Sequence, residues 1–250
     1  MNREPLRHDS GYAMPPHRPY YPPLPTYYRD VRFQIVFFTA DPERLLAIVP
    51  EPLEPGADGL CAAFAIDVPF SSDYGPFQES GVMERVTFRG RSGFYCSHVF
   101  LNNVRAIVSG RERWGTPKMY AEVQCERQGN TLLSVTVMDG IELMTVCSEL
   151  GKPASPEQMT PLFPAYRLKI IPKADGPGFA LKQLVTAAPT EVMTQLLYRG
   201  HGSVAFHPAA GTDLAALTPL DTGDAFYQVA SYTESYGEVV YDYQTGELLS

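Results

Sequence analysis

The stretch "RERWGTPKMY", residues 111 to 120, sets Lys118 directly behind Pro117 and close to Trp114, the single tryptophan of the 250-residue chain. An ammonium cannot attack a carbonyl, so a lysine that does chemistry must reach its neutral form. With a reference pKa near 10.4, about one lysine in 2,500 is neutral at pH 7, and a pKa of about 7 raises that fraction by roughly three orders of magnitude. Burial in an apolar pocket can supply such a shift, and a like charge nearby adds to it. Trp114, Pro117, Met119 and Tyr120 offer apolar walls, with Arg111 and Arg113 as positive neighbours. By local composition alone, a lysine beside a proline is ordinarily a solvated charge at a strand end, so the elements around it decide its role.

Those elements are mostly strands. "VRFQIVFFTADPERLLAIVPEPLEP" reads as a strand followed by a short helix, capped by Asp41, opened by Pro42 and stopped by Pro50. Beyond it, "LCAAFAIDV", "GVMERVTF", "GFYCSHVFL", "VRAIVSG", "KMYAEVQCER" and "TLLSVTVM" are short apolar or alternating runs that predict an antiparallel array. Gln128-Gly129-Asn130 predicts a tight hairpin. Further strands are expected at "YRLKIIP", "GFALKQLVTA", "EVMTQLLYRG", "AFYQVASYTES" and "GEVVYDY", with one more short helix near 155 to 159 or 212 to 216. The expected fold class is mainly β, an antiparallel sheet around a barrel or sandwich core with few short helices. Residues 27 to 250 form one domain, behind an N-terminal arm, residues 1 to 26, whose seven prolines oppose helix and sheet alike. The tyrosines of that arm could pack over the body of the protein or over a neighbouring subunit, with a disordered tail as the equal alternative.

Composition removes several functions. A net charge of -8 and no basic run oppose nucleic-acid binding. No run approaches the roughly 20 apolar residues of a membrane span, and the N-terminus has no hydrophobic signal core, so a soluble, cytoplasmic protein is expected. Cys61, Cys96, Cys125 and Cys147 are far apart, which suits buried free thiols. There is no C-x-x-C, H-E-x-x-H, Gly-rich phosphate loop or G-x-S-x-G elbow. His98, His201 and His207 are expected to be solvated or hydrogen-bonded side chains in place of metal ligands.

The block "GRERWGTPKMY", together with several others, resembles the acetoacetate decarboxylase superfamily. In family order these are "TADPERLLAIVPEPLEP", "FQESGV", "LNNVRAIVSGRERWGTPK", "LKIIPKADG" and "GEVVYDY", which together span almost everything after residue 27. The resemblance implies a cone-like central barrel, a homo-oligomer, no metal or nucleotide cofactor, and a lysine that forms a Schiff base with a small oxo acid. The family's nucleophile matches Lys118. The glutamate of its "ESG" segment, which works with that lysine, matches Glu79 and could shuttle protons during carbinolamine dehydration and enamine protonation. Acetoacetate decarboxylase is itself a standard example of an activated lysine.

Two departures bear on the substrate. The decarboxylases carry a second lysine where this chain has Met119; a cation about 5 Å away at an effective dielectric near 20 is worth roughly 3 kcal/mol. A further glutamate of the decarboxylases falls at Ala65, and Asp67, two residues along on the same strand face, could substitute for it. The family's arginine ahead of the first long strand corresponds to Arg29 or Arg32, a receptor for the substrate carboxylate. Arg111 and Glu112 are read as groups that position Lys118, and Tyr74, Tyr120, Tyr232 and Tyr236, with Trp114, as pocket-wall candidates. The departures point away from acetoacetate. The first expectation is therefore aldol condensation and dehydration, or cyclisation, on a 2-oxo acid such as pyruvate with an aldehyde co-substrate. Decarboxylation of a larger 3-oxo acid is the second, and a small-ligand-binding barrel without turnover the third.

Overall fold

The structure is a computed structural model that describes residue 7 and residues 9 to 249. The chain enters β1 (Thr26–Thr39), turns at Asp41 and forms α1 (Pro42–Ile48). The Asp41 side chain accepts from the Glu43 amide at 2.9 Å, and Pro42 occupies the first turn, the start that the sequence announces. Strands β2 (Glu54–Pro55), β3 (Leu60–Val68), β4 (Phe70–Ser71), β5 (Phe77–Phe88) and β6 (Arg91–Leu101) follow.

Next comes α2 (Val104–Trp114), where the strand expected at "VRAIVSG" is corrected to a helix. Its β-branched residues suggest a strand, but its ends decide otherwise. Asn103 caps the first turn through its side chain, which accepts from the Ala106 amide, and Gly115 closes the last in the left-handed conformation at φ 74°. Ala106, Ser109, Gly110 and Trp114 are buried at helical spacing, so the face they form packs inward.

The chain continues through β7 (Lys118–Tyr120), β8 (Glu122–Gln128), β9 (Thr131–Met138) and β10 (Ile141–Pro153). Gln128 pairs with Thr131 across a two-residue turn, Gly129-Asn130, within the predicted hairpin. Then come β11 (Ala165–Pro172), β12 (Phe179–Ala187), β13 (Thr190–Phe206), β14 (Asp221–Glu234), β15 (Glu238–Asp242) and β16 (Glu247–Leu248). The segments near 155 and 212 form short 3-10 turns at Pro156–Gln158 and Leu214–Leu217.

Among the described residues sixteen strands join in one sheet; thirteen follow the path β16-β15-β12-β11-β6-β5-β3-β1-β14-β13-β10-β9-β8, and β2, β4 and β7 pair off it with β5, β1 and β6. Pairings are antiparallel, except that β7 and β11 run parallel to β6. The path does not close, so the expected barrel describes the sheet only approximately. Alternation sends Ile35 and Phe37 of β1 into one core cluster and Val36 and Phe38 into another. The site lies against the first of these.

The described part of the arm packs on α2. The Tyr21 hydroxyl donates to Glu112 at 2.6 Å, Arg113 stacks over the Tyr21 ring at 4.5 Å and donates to the Pro22 carbonyl, and Leu24 is buried with Trp114. Residues 1 to 6 and 8 of the arm lie outside the described residues. No helix among the described residues is long and apolar enough to cross a membrane.

Candidate active site

Lys118 is the first residue of β7, and the motif before it explains how it is held. After Gly115 reverses the chain, the Thr116 amide bonds back to the Gly110 carbonyl at 3.1 Å, so β7 starts beside the helix it has just left. The Arg111 guanidinium donates to the Lys118 carbonyl at 3.1 Å and fixes its backbone. A Cβ on Gly110 would stand 2.8 Å from Cδ and 2.9 Å from Cε of Lys118, so the lysine side chain lies across α2 in space that only glycine leaves. Gly115 has a second duty, since a Cβ there would meet the Lys169 backbone of β11 at 2.2 Å. Glycine, arginine and glycine at 110, 111 and 115 therefore aim one amine.

The amine meets Glu79. Lys118 Nζ lies 2.9 Å from Glu79 Oε2, and the two side chains are only 14% and 15% exposed. Glu79 opens the "ESG" triplet on β5, whose other members are structural. Ser80 is buried and bonds to Thr136 at 2.6 Å, and Gly81 admits the Phe64 ring, which a Cβ would strike at 2.6 Å.

The pair lies in a cavity of about 440 Å³. Its walls are largely apolar, with Phe33, Phe64, Met83 and Trp114 among them, and the 156 to 163 segment supplies Met159, Leu162 and Phe163. A second carboxyl and a guanidinium share it, Glu234 at the end of β14 and Arg167 on β11. Tyr28 donates to Glu234 at 3.1 Å and stacks on Tyr232 with ring centroids 4.7 Å apart.

The electrostatics differ from the expectation of a lysine depressed by burial and arginine neighbours. Desolvation does pull the Lys118 pKa down, but the carboxylates of Glu79 and Glu234 and the hydrogen bond to Glu79 outweigh it and hold the ammonium above the ordinary lysine value. Arg111 and Arg113 donate to backbone carbonyls. Glu234 is shifted up by desolvation, against the opposing pull of Lys118, Arg167 and Tyr28. Burial pushes the Cys96 thiol in the same wall up to about 12, which removes it as a competing nucleophile at neutral pH. The site thus holds a lysine cation, a partner carboxylate, a second carboxyl that takes up a proton readily, and an arginine.

Of the other residues singled out from the sequence, Trp114 and Tyr232 line the cavity. Tyr74 is buried beside it and bonds to Ser109 at 2.8 Å. Glu112 receives Tyr21 of the arm, so it positions α2. Tyr120 and Tyr236 are exposed and outside the wall.

Four placements are corrected. Met119 packs into the second core cluster with Val36 and Phe100, because consecutive strand residues face opposite ways. Ala65 lies on the far face of β3, in a separate hollow with Arg32, Gln34 and Asp67, while its neighbours Phe64 and Ile66 face Lys118. Arg32 pairs there with Asp67 at 2.5 Å, so Asp67 does not stand in for the missing glutamate. Arg29 is exposed, 5.6 Å over the Tyr27 ring, so neither arginine reaches the cavity. The histidines stay apart: His98 bonds to Ser97 and Asp213, and His207 lies 3.4 Å from Glu142. All four cysteines are free thiols.

Glu234 and Arg167 are the groups that motif reading misses. The signal was period two: Gln228, Ala230, Tyr232 and Glu234 all line the cavity, so stepping on from Tyr232 reaches Glu234.

The family pattern of "Acetoacetate decarboxylase (ADC)" matches residues 12–245. The chain is 32% identical over 237 residues to "Acetoacetate decarboxylase 2" of Mesorhizobium japonicum, covering 94% of this chain and 90% of that protein. It is 31% identical over 238 residues to "Acetoacetate decarboxylase" of Chromobacterium violaceum, covering 93% and 95%. The crystal structure of acetoacetate decarboxylase from Legionella pneumophila superposes with a TM-score of 0.87 at 25% identity, over 96% of this chain and all of that one. The enduracididine biosynthesis enzyme MppR complexed with pyruvate shares the fold, with a TM-score of 0.80 at 19% identity over 93% and 98% of the two chains.

Proposed function

Because the chain belongs to the acetoacetate decarboxylase family, we propose that it is a lyase in which Lys118 forms a Schiff base with a small oxo acid and passes through an enamine. The observation that carries this reading is the Lys118–Glu79 contact of 2.9 Å in an apolar cavity that also holds Glu234. The resting ammonium must give up its proton before it attacks, and a neighbouring carboxylate is the acceptor. Nζ then adds to the carbonyl carbon. The carboxyl returns a proton to the carbinolamine oxygen, water leaves, and an iminium remains. Glu234, whose pKa is raised, suits the proton-returning step better than a solvated glutamate.

The iminium becomes an enamine by losing a proton from the adjacent carbon of a 2-oxo acid, or by losing carbon dioxide from a 3-oxo acid. In the first reaction the enamine carbon attacks an aldehyde, water is eliminated, and hydrolysis releases an unsaturated 2-oxo acid and free Lys118. In the second the enamine takes a proton, and hydrolysis releases a ketone. A water's share of liquid volume is about 30 Å³, so the cavity of about 440 Å³ leaves room beside pyruvate for a second reactant. That supports condensation as the first reading. Decarboxylation of a 3-oxo acid longer than acetoacetate is the second. It is favoured by the names of the relatives, and Met119 and Ala65 do not count against it, since both positions lie outside the cavity.

Reductive trapping tests the shared step. Borohydride with pyruvate or acetoacetate is expected to leave a mass adduct on Lys118 that disappears in Lys118→Met and persists in a surface variant such as Lys152→Met. A barrel that only binds ligand would keep its ammonium and give no adduct. Pyruvate with an aromatic aldehyde should then yield an unsaturated oxo acid; release of carbon dioxide from a 3-oxo acid, with no condensation product, would give precedence to the second reading.

A further inference from the structure

We propose that Arg167 is the receptor for the carboxylate of the oxo acid, and that the bound acid keeps that carboxylate through the reaction. This rests on the reading that Lys118 forms a Schiff base, and it adds the class of substrate the site selects.

Sheet geometry places Arg167 opposite the amine. β5 occupies one edge of β6 over its whole length, so β7 and β11, both parallel to β6, share the other edge. Val99 pairs with Lys118, while Phe94 and Tyr95 pair with Ala165 and Tyr166, which brings Arg167 level with Cys96. Three residues of strand separate the two positions, about 10 Å at the usual rise. The register slips between them, since Val82 pairs with His98 and Met83 with Cys96, leaving Ser97 as an extra residue. The bulge resets the alternation and turns both Cys96 and Val99 to the cavity. Lys118 and Arg167 therefore reach into one space from two points on a single strand edge.

Chemistry then distinguishes Arg167 from the other arginines near the site. Its Nη1 donates to the Ala165 carbonyl at 3.1 Å and, more weakly, to that of Ala187 at 3.5 Å, which anchors the guanidinium. Its Nε is buried and without a hydrogen-bond partner. No carboxylate lies within ion-pair distance of it among the described residues. Buried donors left unpaired are uncommon and costly, whereas Arg32, Arg111 and Arg113 are all engaged by protein acceptors. A guanidinium with free donors matches a carboxylate in charge and planarity. A carboxylate held this way resists departure as neutral carbon dioxide, because leaving would forfeit the ion pair. That pairing thus favours acids whose carboxylate stays, as in 2-oxo acids.

The test compares pyruvate with methyl pyruvate, which has the same ketone and no charge. Trapping rates on Lys118 are measured with cyanoborohydride at neutral pH by intact mass and divided by those of Nα-acetyl-lysine, which corrects for carbonyl reactivity. The wild-type protein is expected to prefer the acid about 10- to 100-fold, the range for hydrogen bonds to a charged group. Arg167→Met should bring that ratio close to one, and Arg167→Lys should give an intermediate ratio, which keeps the test decisive should the methionine variant fail to fold. A wild-type protein indifferent to the charge overturns the assignment, as does a methionine variant that keeps the preference. Equal loss of both rates in Arg167→Met also overturns it, because the arginine would then be acting on Lys118. A wild-type protein that traps neither ketone overturns the Schiff-base reading and this inference together.

Discussion

Strands β1 and β3 back onto two hollows, one on each face, and alternate residues of the same segments line them. Phe33, Ile35, Phe64 and Ile66 face the cavity of about 440 Å³ that holds Lys118, whereas Arg32, Gln34, Ala65 and Asp67 face a second hollow of about 290 Å³. The second is richer in polar side chains, yet those shared by β1 and β3 are matched by protein partners. Arg32 pairs with Asp67, Gln78 donates to Asp67 at 2.9 Å, and the buried Gln34 is satisfied by Ser134, Ser148 and the Leu132 and Val146 carbonyls. The first hollow has few polar groups, but they are desolvated and incompletely matched: a lysine between two carboxylates, and an arginine with an idle donor. The difference between the two lies in unmet demand in an apolar setting and not in the number of polar residues.

The contrast is broken most completely by removing the amine. Lys118→Met should lower turnover by about 10⁴-fold or more while the protein still folds, as checked by circular dichroism and steady-state kinetics. Next in size is Glu234→Gln, expected to cost about 10²-fold in kcat by deleting a proton carrier. The same change takes away one of the carboxylates that hold the Lys118 proton, so the pH at which trapping becomes half-maximal should move down. Stability should move the other way with pH. A folded-state value raised above the ordinary glutamate value stabilises fully below that ordinary value and is lost as pH rises through the raised one. The variant, neutral throughout, should therefore gain on the wild type across that window in urea titrations. An unchanged trapping profile with unchanged kcat would reduce Glu234 to a filler.

Some of this was legible from residue order. Lys118 and Glu79 stand in contiguous motifs whose glycines, Gly81, Gly110 and Gly115, are fixed by close approaches that any side chain would block. The cap of α1 and the Gly129-Asn130 hairpin were likewise local matters of turn chemistry. What failed was inference from adjacency. Met119 is next to Lys118 in sequence and behind it in space, and Ala65 is separated from the site by a single step of alternation. Arg167 and Glu234 reach the cavity through pairings of β11 with β6 and of β14 with β1, contacts between segments 70 or more residues apart along the chain that no short pattern records. α2 was misread because its β-branched composition outweighed two caps in a propensity reading, although burial of one face decides the helix.

The two faces can be exchanged one residue at a time. Phe64→Lys would place an ammonium inside the cavity, where a like charge should depress the Lys118 pKa and shift trapping to lower pH. Met119→Lys, despite standing beside Lys118, should leave the trapping profile in place and cost about 2 to 4 kcal/mol of stability, since it drives a charge into the cluster around Val36 and Phe100. A Met119→Lys profile that shifted like that of Phe64→Lys would show that the charge reaches the amine through the strand, and the separation of the two faces would fail.

The smallest effect is expected at Arg32. Its partner Asp67 is half-buried, but half of the guanidinium side chain is open to solvent, at 51% exposure, so water screens the pair. Exposed ion pairs are typically worth 0.2 to 1 kcal/mol, and Arg32→Ala should fall in that range by urea unfolding. Asp67 keeps its hydrogen bond from Gln78, so the loss does not strand a buried charge. Because Arg32 faces away from Lys118, the preference for pyruvate over methyl pyruvate should be untouched, in contrast to Arg167→Met. If Arg32→Ala instead erased that preference, the carboxylate would bind on the far face of β1, and the hollow whose β1 and β3 side chains are already matched would be the one that recognises substrate.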